Sequence, residues 1–189
     1  MRLFVALSIP SEVHENIASL IRALRRADST PRWVNPESLH ITLKFIGEIE
    51  SQLVPVICEA LVAILVAQRL TLALHGVGFF PNARRPSVAW IGIEAPPILA
   101  FLASEINRFL APLGIQPETK PFVPHLTIAR FKDSRLSPAL HADIEKWKDH
   151  NFGMVSASEI HLVESRLKSS GAEYTTLRSF PFVAEDSQD

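Results

Sequence analysis

The sequence predicts an α+β fold assembled as a duplication, each half running strand, helix, strand, helix, strand. Three observations carry that expectation. The stretch LHITLKF (Leu39 to Phe45) has a near copy in PHLTIAR (Pro124 to Arg130), each with a histidine two residues before a threonine in an apolar, β-branched run. Shifting the chain by the 85 positions between His40 and His125 superimposes element types along most of its length. The hydrophobic period also switches between strand-like and helix-like values at matching places in both halves.

Taken in order, RLFVALSI (Arg2 to Ile9) lands on SVAWIGIE (Ser87 to Glu94), and both read as strands. SEVHENIASLIRAL lands on PPILAFLASEINRF, where Ile17, Ile21 and Leu24 meet Leu102, Ile106 and Phe109 in helical phase. The two histidine strands follow. A helix over Ser51 to Ala67 corresponds to a second around Ser137 to Lys148, and the strand TLALHGVGFF (Thr71 to Phe80) to SASEIHLVES (Ser156 to Ser165). A last strand, YTTLRSFPF (Tyr174 to Phe182), completes the second half. PNARRPS (Pro81 to Ser87) is the seam, and GIQPETKPFVP (Gly114 to Pro124) a loop entering the second motif. Each half is too small to bury a full core alone. We therefore expect one domain over 1–189, with lobes of about 1–85 and 86–183 open to strand exchange, and a disordered acidic tail at 184–189.

Composition narrows the function classes. The chain is 47% hydrophobic and 21% charged, an ordinary globular balance, and its net charge of -1 argues against bulk adhesion to duplex nucleic acid or an anionic membrane. Basic clusters at Arg22, Arg25, Arg26 and Arg32, and at Lys120, Arg130, Lys132 and Arg135, read as solvated surface. The single cysteine, Cys58, allows no internal disulfide. MRLFVALSIP does not match a secretory signal and no apolar run reaches bilayer length, so the expectation is a cytoplasmic protein with no membrane partner.

Strand alternation puts His40 and Thr42 on one face and Ile41, Leu43 and Phe45 on the other. In the second motif His125 and Thr127 oppose Leu126, Ile128 and Arg130. Apolar faces pack on helices; under a pseudo-two-fold, the polar faces converge on a common groove. Two imidazoles can then divide base and acid duties, while threonine hydroxyls hold phosphate oxygens. That set suits in-line displacement at phosphorus. Chance gives about a quarter of one such motif in this composition, so two at symmetric positions carry weight. His14, His75, His141, His150 and His161 show no metal-ligand spacing, and neither a G-x-S-x-G elbow nor a glycine-rich nucleotide loop is present.

At these residues the chain resembles the two-histidine (2H) phosphoesterase superfamily, and within it the RNA 2',3'-cyclic phosphodiesterases, also called 2'-5' RNA ligases. WVNPESLHITLKFIGE, GVGFFPNARRPSVAWIGI, PFVPHLTIAR and LVESRLKSSGAEYTTLRSFPF carry the resemblance. It implies a bilobal α+β arrangement, with two antiparallel sheets flanking a central cleft and helices on the outer faces. It further implies hydrolysis of 2',3'-cyclic phosphate ends to 2'-phosphomonoesters, reversible 2'-5' joining of RNA ends such as tRNA halves, and no cofactor or metal. His40 would be the general acid and His125 the general base, with Thr42, Thr127 and Arg130 on the phosphate.

Arg130 needs a bulge or the strand end to reach that face. Phe45 would stack on a base although its parity favours the core, and Tyr174 would line the cleft. Lys44 reads as a rim lysine, Trp33 as packing beside the first motif, and His75 and His161 as ordinary strand residues. The expected partners are RNA termini, and the expected state is a monomer. Rival readings are a phosphodiesterase for 2',5'-oligonucleotides or small cyclic nucleotides, and a non-catalytic module that grips RNA ends.

Overall fold

The computed structural model describes residues 1–64, 69–133, 135–168 and 171–182. The expected tail at 184–189 lies outside the described residues. The strands are β1 (Arg2–Leu7), β2 (Arg32–Trp33), β3 (Ile41–Glu48), β4 (Leu70–Phe80), β5 (Val88–Glu94), β6 (His125–Arg130), β7 (Asn151–Ala157), β8 (Glu159–Lys168) and β9 (Gly171–Pro181). The helices are α1 (Ser11–Ala27), α2 (Val54–Val62), α3 (Pro97–Leu110) and α4 (Pro138–Glu145). Two elements were not anticipated: two-residue β2, and β7, which takes the start of what read as one strand with β8.

Both sheets are antiparallel throughout, one in the order β3-β1-β8-β9 and the other β2-β6-β5-β4-β7. Leaving out β2, they share one plan: histidine strand, first strand of the same half, then two more. In both, the third strand comes from the other half, β8 beside β1 and β4 beside β5. The helices cross over as well. α1 packs on β7 and α4, and Asn16 Nδ2 donates to the Phe152 carbonyl at 3.3 Å, while α3 packs on β3 and α2. Apolar helix faces (Ile17, Leu20, Ile21, Leu24; Leu102, Ile106, Leu110) join the strand interiors in one continuous core. Leu110, and not Phe109, fills the place matching Leu24. α2 stops at Val62, short of the expected Ala67.

The sheets approach each other along β3 and β6, the strands of the two motifs. Their outer faces carry helices. On the inner face of the first sheet, Phe4, Ala6 and Val163 form a small second apolar cluster joined by Tyr174. On the second, the Trp90 indole lies flat over Gly78, where a Cβ would stand 2.3 Å from the ring. Glycine is required there by close approach.

Candidate active site

His40 directly precedes β3 and His125 opens β6. Each histidine and its threonine are half-buried, alternating with Ile41, Leu43, Leu126 and Ile128, which are buried. Both imidazoles are held alike. His40 Nδ1 lies 2.8 Å from the Ser38 carbonyl, and His125 Nδ1 lies 2.8 Å from the Val123 carbonyl, in both cases two residues back. A carbonyl can only accept, so Nδ1 carries a proton in both rings and Nε2 is the nitrogen left to meet a substrate. Aromatic rings fix the orientations further: Phe4 stacks on His40 at 4.5 Å, Tyr174 meets it edge-on at 5.0 Å, and Phe80 meets His125 edge-on at 5.0 Å. Phe4 and Phe80 were not foreseen as site residues. The uninterrupted apolar run of β1, LFVAL, was the available signal, since it means both faces of that strand are covered.

Strict alternation fails in both motif strands, at equivalent places. The β1–β3 register slips between Val5 and Ala6, leaving Leu43 as an extra residue, and the β5–β6 register slips between Ala89 and Trp90, leaving Ile128 extra. These bulges turn each following residue over. Arg130 therefore emerges exposed, on the face of His125 and Thr127, while Ala129 is buried. Its charge reaches His40 and Tyr174 on the opposite sheet, which ties the two motifs into one electrostatic site.

The same slip settles the placement of two residues in β3. Lys44 is not a rim residue: it is 2% exposed on the core side, with Nζ donating to the Gln116 carbonyl at 2.6 Å and Glu118 at 3.8 Å. Phe45, whose parity favoured the core, is 44% exposed at the place equivalent to Arg130, where its expected stacking role would need it, with the Arg2 guanidinium 5.0 Å from its ring centroid. Trp33 is also placed differently, since β2 pairs with β6 and puts it beside the second motif. His161 is more than an ordinary strand residue, with Ser8 Oγ 3.0 Å from Nε2 and Ser179 Oγ 2.9 Å from Nδ1.

Electrostatics separate the groups. Burial pulls His40 below the ordinary 6.5; the hydrogen bond to Ser38 opposes this and the Arg130 charge adds to it. Its resting form is the neutral ring. Burial raises the Tyr174 phenol against the pull of Arg130 and Arg2, so it stays a neutral donor.

This duplicated fold, with a histidine-threonine pair on each inner sheet, defines a 2H phosphoesterase. The chain belongs to the 2'-5' RNA ligase superfamily, whose family model matches residues 11–168. It is 33% identical over 180 residues to the RNA 2',3'-cyclic phosphodiesterase of Archaeoglobus fulgidus (95% of this chain, 99% of the other) and 34% identical over 180 residues to that of Methanocaldococcus jannaschii (95% and 100%). Among solved structures, TT0787 of Thermus thermophilus superimposes with a TM-score of 0.80 at 31% identity, covering 98% of this chain and all of that one. E. coli LigT complexed with 3'-AMP gives 0.76 at 26% identity, covering 96% and 97%. Among the described residues, no helix is long and apolar enough to cross a membrane.

Proposed function

We propose that this protein hydrolyses the 2',3'-cyclic phosphate end of RNA to a 2'-phosphomonoester, without a metal, and joins RNA ends weakly and reversibly through a 2'-5' linkage when a 5'-hydroxyl takes the place of water. The observation that carries the reading is the matched tethering of two imidazoles, each with Nδ1–H on a backbone carbonyl and Nε2 free. His125 Nε2 takes a proton from water as the water oxygen attacks phosphorus. The bond from phosphorus to O3' breaks, and His40 Nε2 gives its proton to the departing oxygen while the phosphate stays on O2'. Thr42 and Thr127 hydroxyls and the Arg130 fork hold the non-bridging oxygens as negative charge builds. His40 rests neutral, so the anionic substrate must first draw a proton onto it. Its desolvated environment then makes it a ready donor. Relatives of similar length named RNA 2',3'-cyclic phosphodiesterase support the substrate class.

The test is incubation with a 2',3'-cyclic-phosphate oligonucleotide, identifying the hydroxyl that keeps the phosphate. We expect a 2'-phosphate, undiminished turnover in EDTA, and rates lowered about 10²–10⁴-fold by His40→Ala or His125→Ala alone. Full activity in either variant removes the mechanism, and a 3'-phosphate product reverses the assignment of the leaving oxygen.

A further inference from the structure

Off the ends of β4 and β6, an open hollow of about 590 Å³ is lined by Ala83, Arg84, Arg135, Leu136, Pro138 and His141. Its walls are the start of α4, which carries Pro138 and His141, and two loops. One joins β4 to β5, leaving from Phe80, the residue whose ring packs on His125; the other follows β6, leaving from Arg130. Two of the three lining segments therefore leave the second sheet at neighbouring strand ends, Phe80 and Arg130 both pairing with Val88.

The first loop is shaped to present its arginines. Asn82 Oδ1 accepts from the backbone N–H of Arg84 at 3.0 Å and of Arg85 at 3.1 Å, and the loop is closed by Ser87 N–H donating to the Phe80 carbonyl at 2.7 Å. Among the described residues, the ion pairs formed by other arginines, Arg108 with Glu105 and Arg166 with Glu164, have no counterpart at Arg84, Arg85 or Arg135. Asp133 is the nearest acidic residue in sequence and does not line the hollow. Leu136 and Pro138 add apolar surface to the same lining.

We propose that this hollow is a second binding site, for the phosphodiester backbone of single-stranded RNA one or more nucleotides away from the end being processed. The inference rests on the function proposed above and extends it from a terminal phosphate to a strand. Guanidinium forks match phosphate oxygens in pairs, and arginine is less strongly hydrated than lysine, which suits an open site where the cation must shed water to bind. The volume is that of a small-ligand site, enough for a nucleotide unit whose sugar or base rests on Leu136 and Pro138. From sequence, Arg135 reads as solvated surface and Arg84 as part of the seam between the halves. What distinguishes them is that two segments some 50 positions apart bring cations without an ion pair among the described residues to one depression, off the strand end that carries Arg130.

The test compares wild type with Arg84→Ala/Arg135→Ala on two substrates, a 2',3'-cyclic mononucleotide and a ten-nucleotide RNA ending in the same group. Fluorescence anisotropy of a labelled ten-nucleotide RNA is followed across salt concentrations. We expect the variant to raise KM for the oligonucleotide at least tenfold, to leave the mononucleotide within twofold, and to flatten the slope of log affinity against log salt by about 1.4, or 0.7 for each lost phosphate contact. Unchanged oligonucleotide binding with an unchanged salt slope overturns the proposal, as does an equal rise in KM for both substrates, which would mean a disturbed catalytic site. If wild type turns over neither substrate, the hydrolytic function falls, while the anisotropy series still decides whether the hollow holds RNA.

Discussion

At the scale of the residue, His40 is the most exacting element of the site. It sits between a stacked Phe4 and an edge-on Tyr174, its Nδ1 held by a carbonyl, with the Arg130 charge in reach. Burial lowers its affinity for a proton, so we expect its NMR titration midpoint below 6.5 and a rise toward that value in Arg130→Gln. An unchanged midpoint in that variant would mean Arg130 does not face His40 in solution. The sign for stability follows from the same shift. Folding favours the neutral ring, so its contribution is complete above about pH 6.5 and is lost as pH falls through the folded-state value. Chemical denaturation of His40→Ala should accordingly lose less stability than wild type on going from neutral to acid pH. The histidines and threonines were legible from sequence because chemistry restricts which residues can do this work. Their aromatic neighbours were not, because Phe4 and Phe80 look like any strand core residue until the opposite face is known to hold a ring.

At the scale of the element, the decisive features are the paired bulges at Leu43 and Ile128. Alternation places the residues before the slip correctly and the two directly after it on the wrong face, which is why Lys44 was read as a rim lysine and why Phe45 could be expected to stack on a base only against its parity. Arg130 escaped the error only because its expected role required a bulge. Lys44 shows what the slip does: its buried ammonium ties β3 to the segment that enters β6 through Val123, the residue whose carbonyl holds His125. Burial lowers its proton affinity, partly offset by Glu118. A methionine would fill the same space without a buried charge, so Lys44→Met should unfold within about 1 kcal/mol of wild type. Lys44→Glu puts a carboxylate against a carbonyl and Glu118 and should cost roughly 3–5 kcal/mol, a fall in Tm of about 10 °C for a chain of this size. Differential scanning fluorimetry distinguishes these outcomes, and equal loss in both would mean that the Gln116 hydrogen bond matters more than the charge.

At the scale of the molecule, the offset of 85 revealed the duplication but could not say which strand pairs with which. Periodicity reports that a strand has a buried face and carries no record of its neighbour. The answer is reciprocal: β8 lies beside β1, β4 beside β5, α1 covers β7 and α3 covers β3. Cutting the chain at the 81–87 loop would leave an N-terminal piece with β1 and β3 but neither β8 nor β9, and a C-terminal piece whose β5 lacks β4 and whose β7 has no partner strand. Each piece would expose unpaired strand edges and half of a shared core. We propose that the two lobes form one cooperative unit. The full chain should then unfold in urea with coincident fluorescence and circular-dichroism transitions. Fragments 1–85 and 86–189 should each lack a cooperative transition alone and regain one when mixed in equal amounts. A fragment that melts cooperatively by itself would mean that a lobe carries its own core, and the reciprocal strand placement would then have to arise by docking after folding.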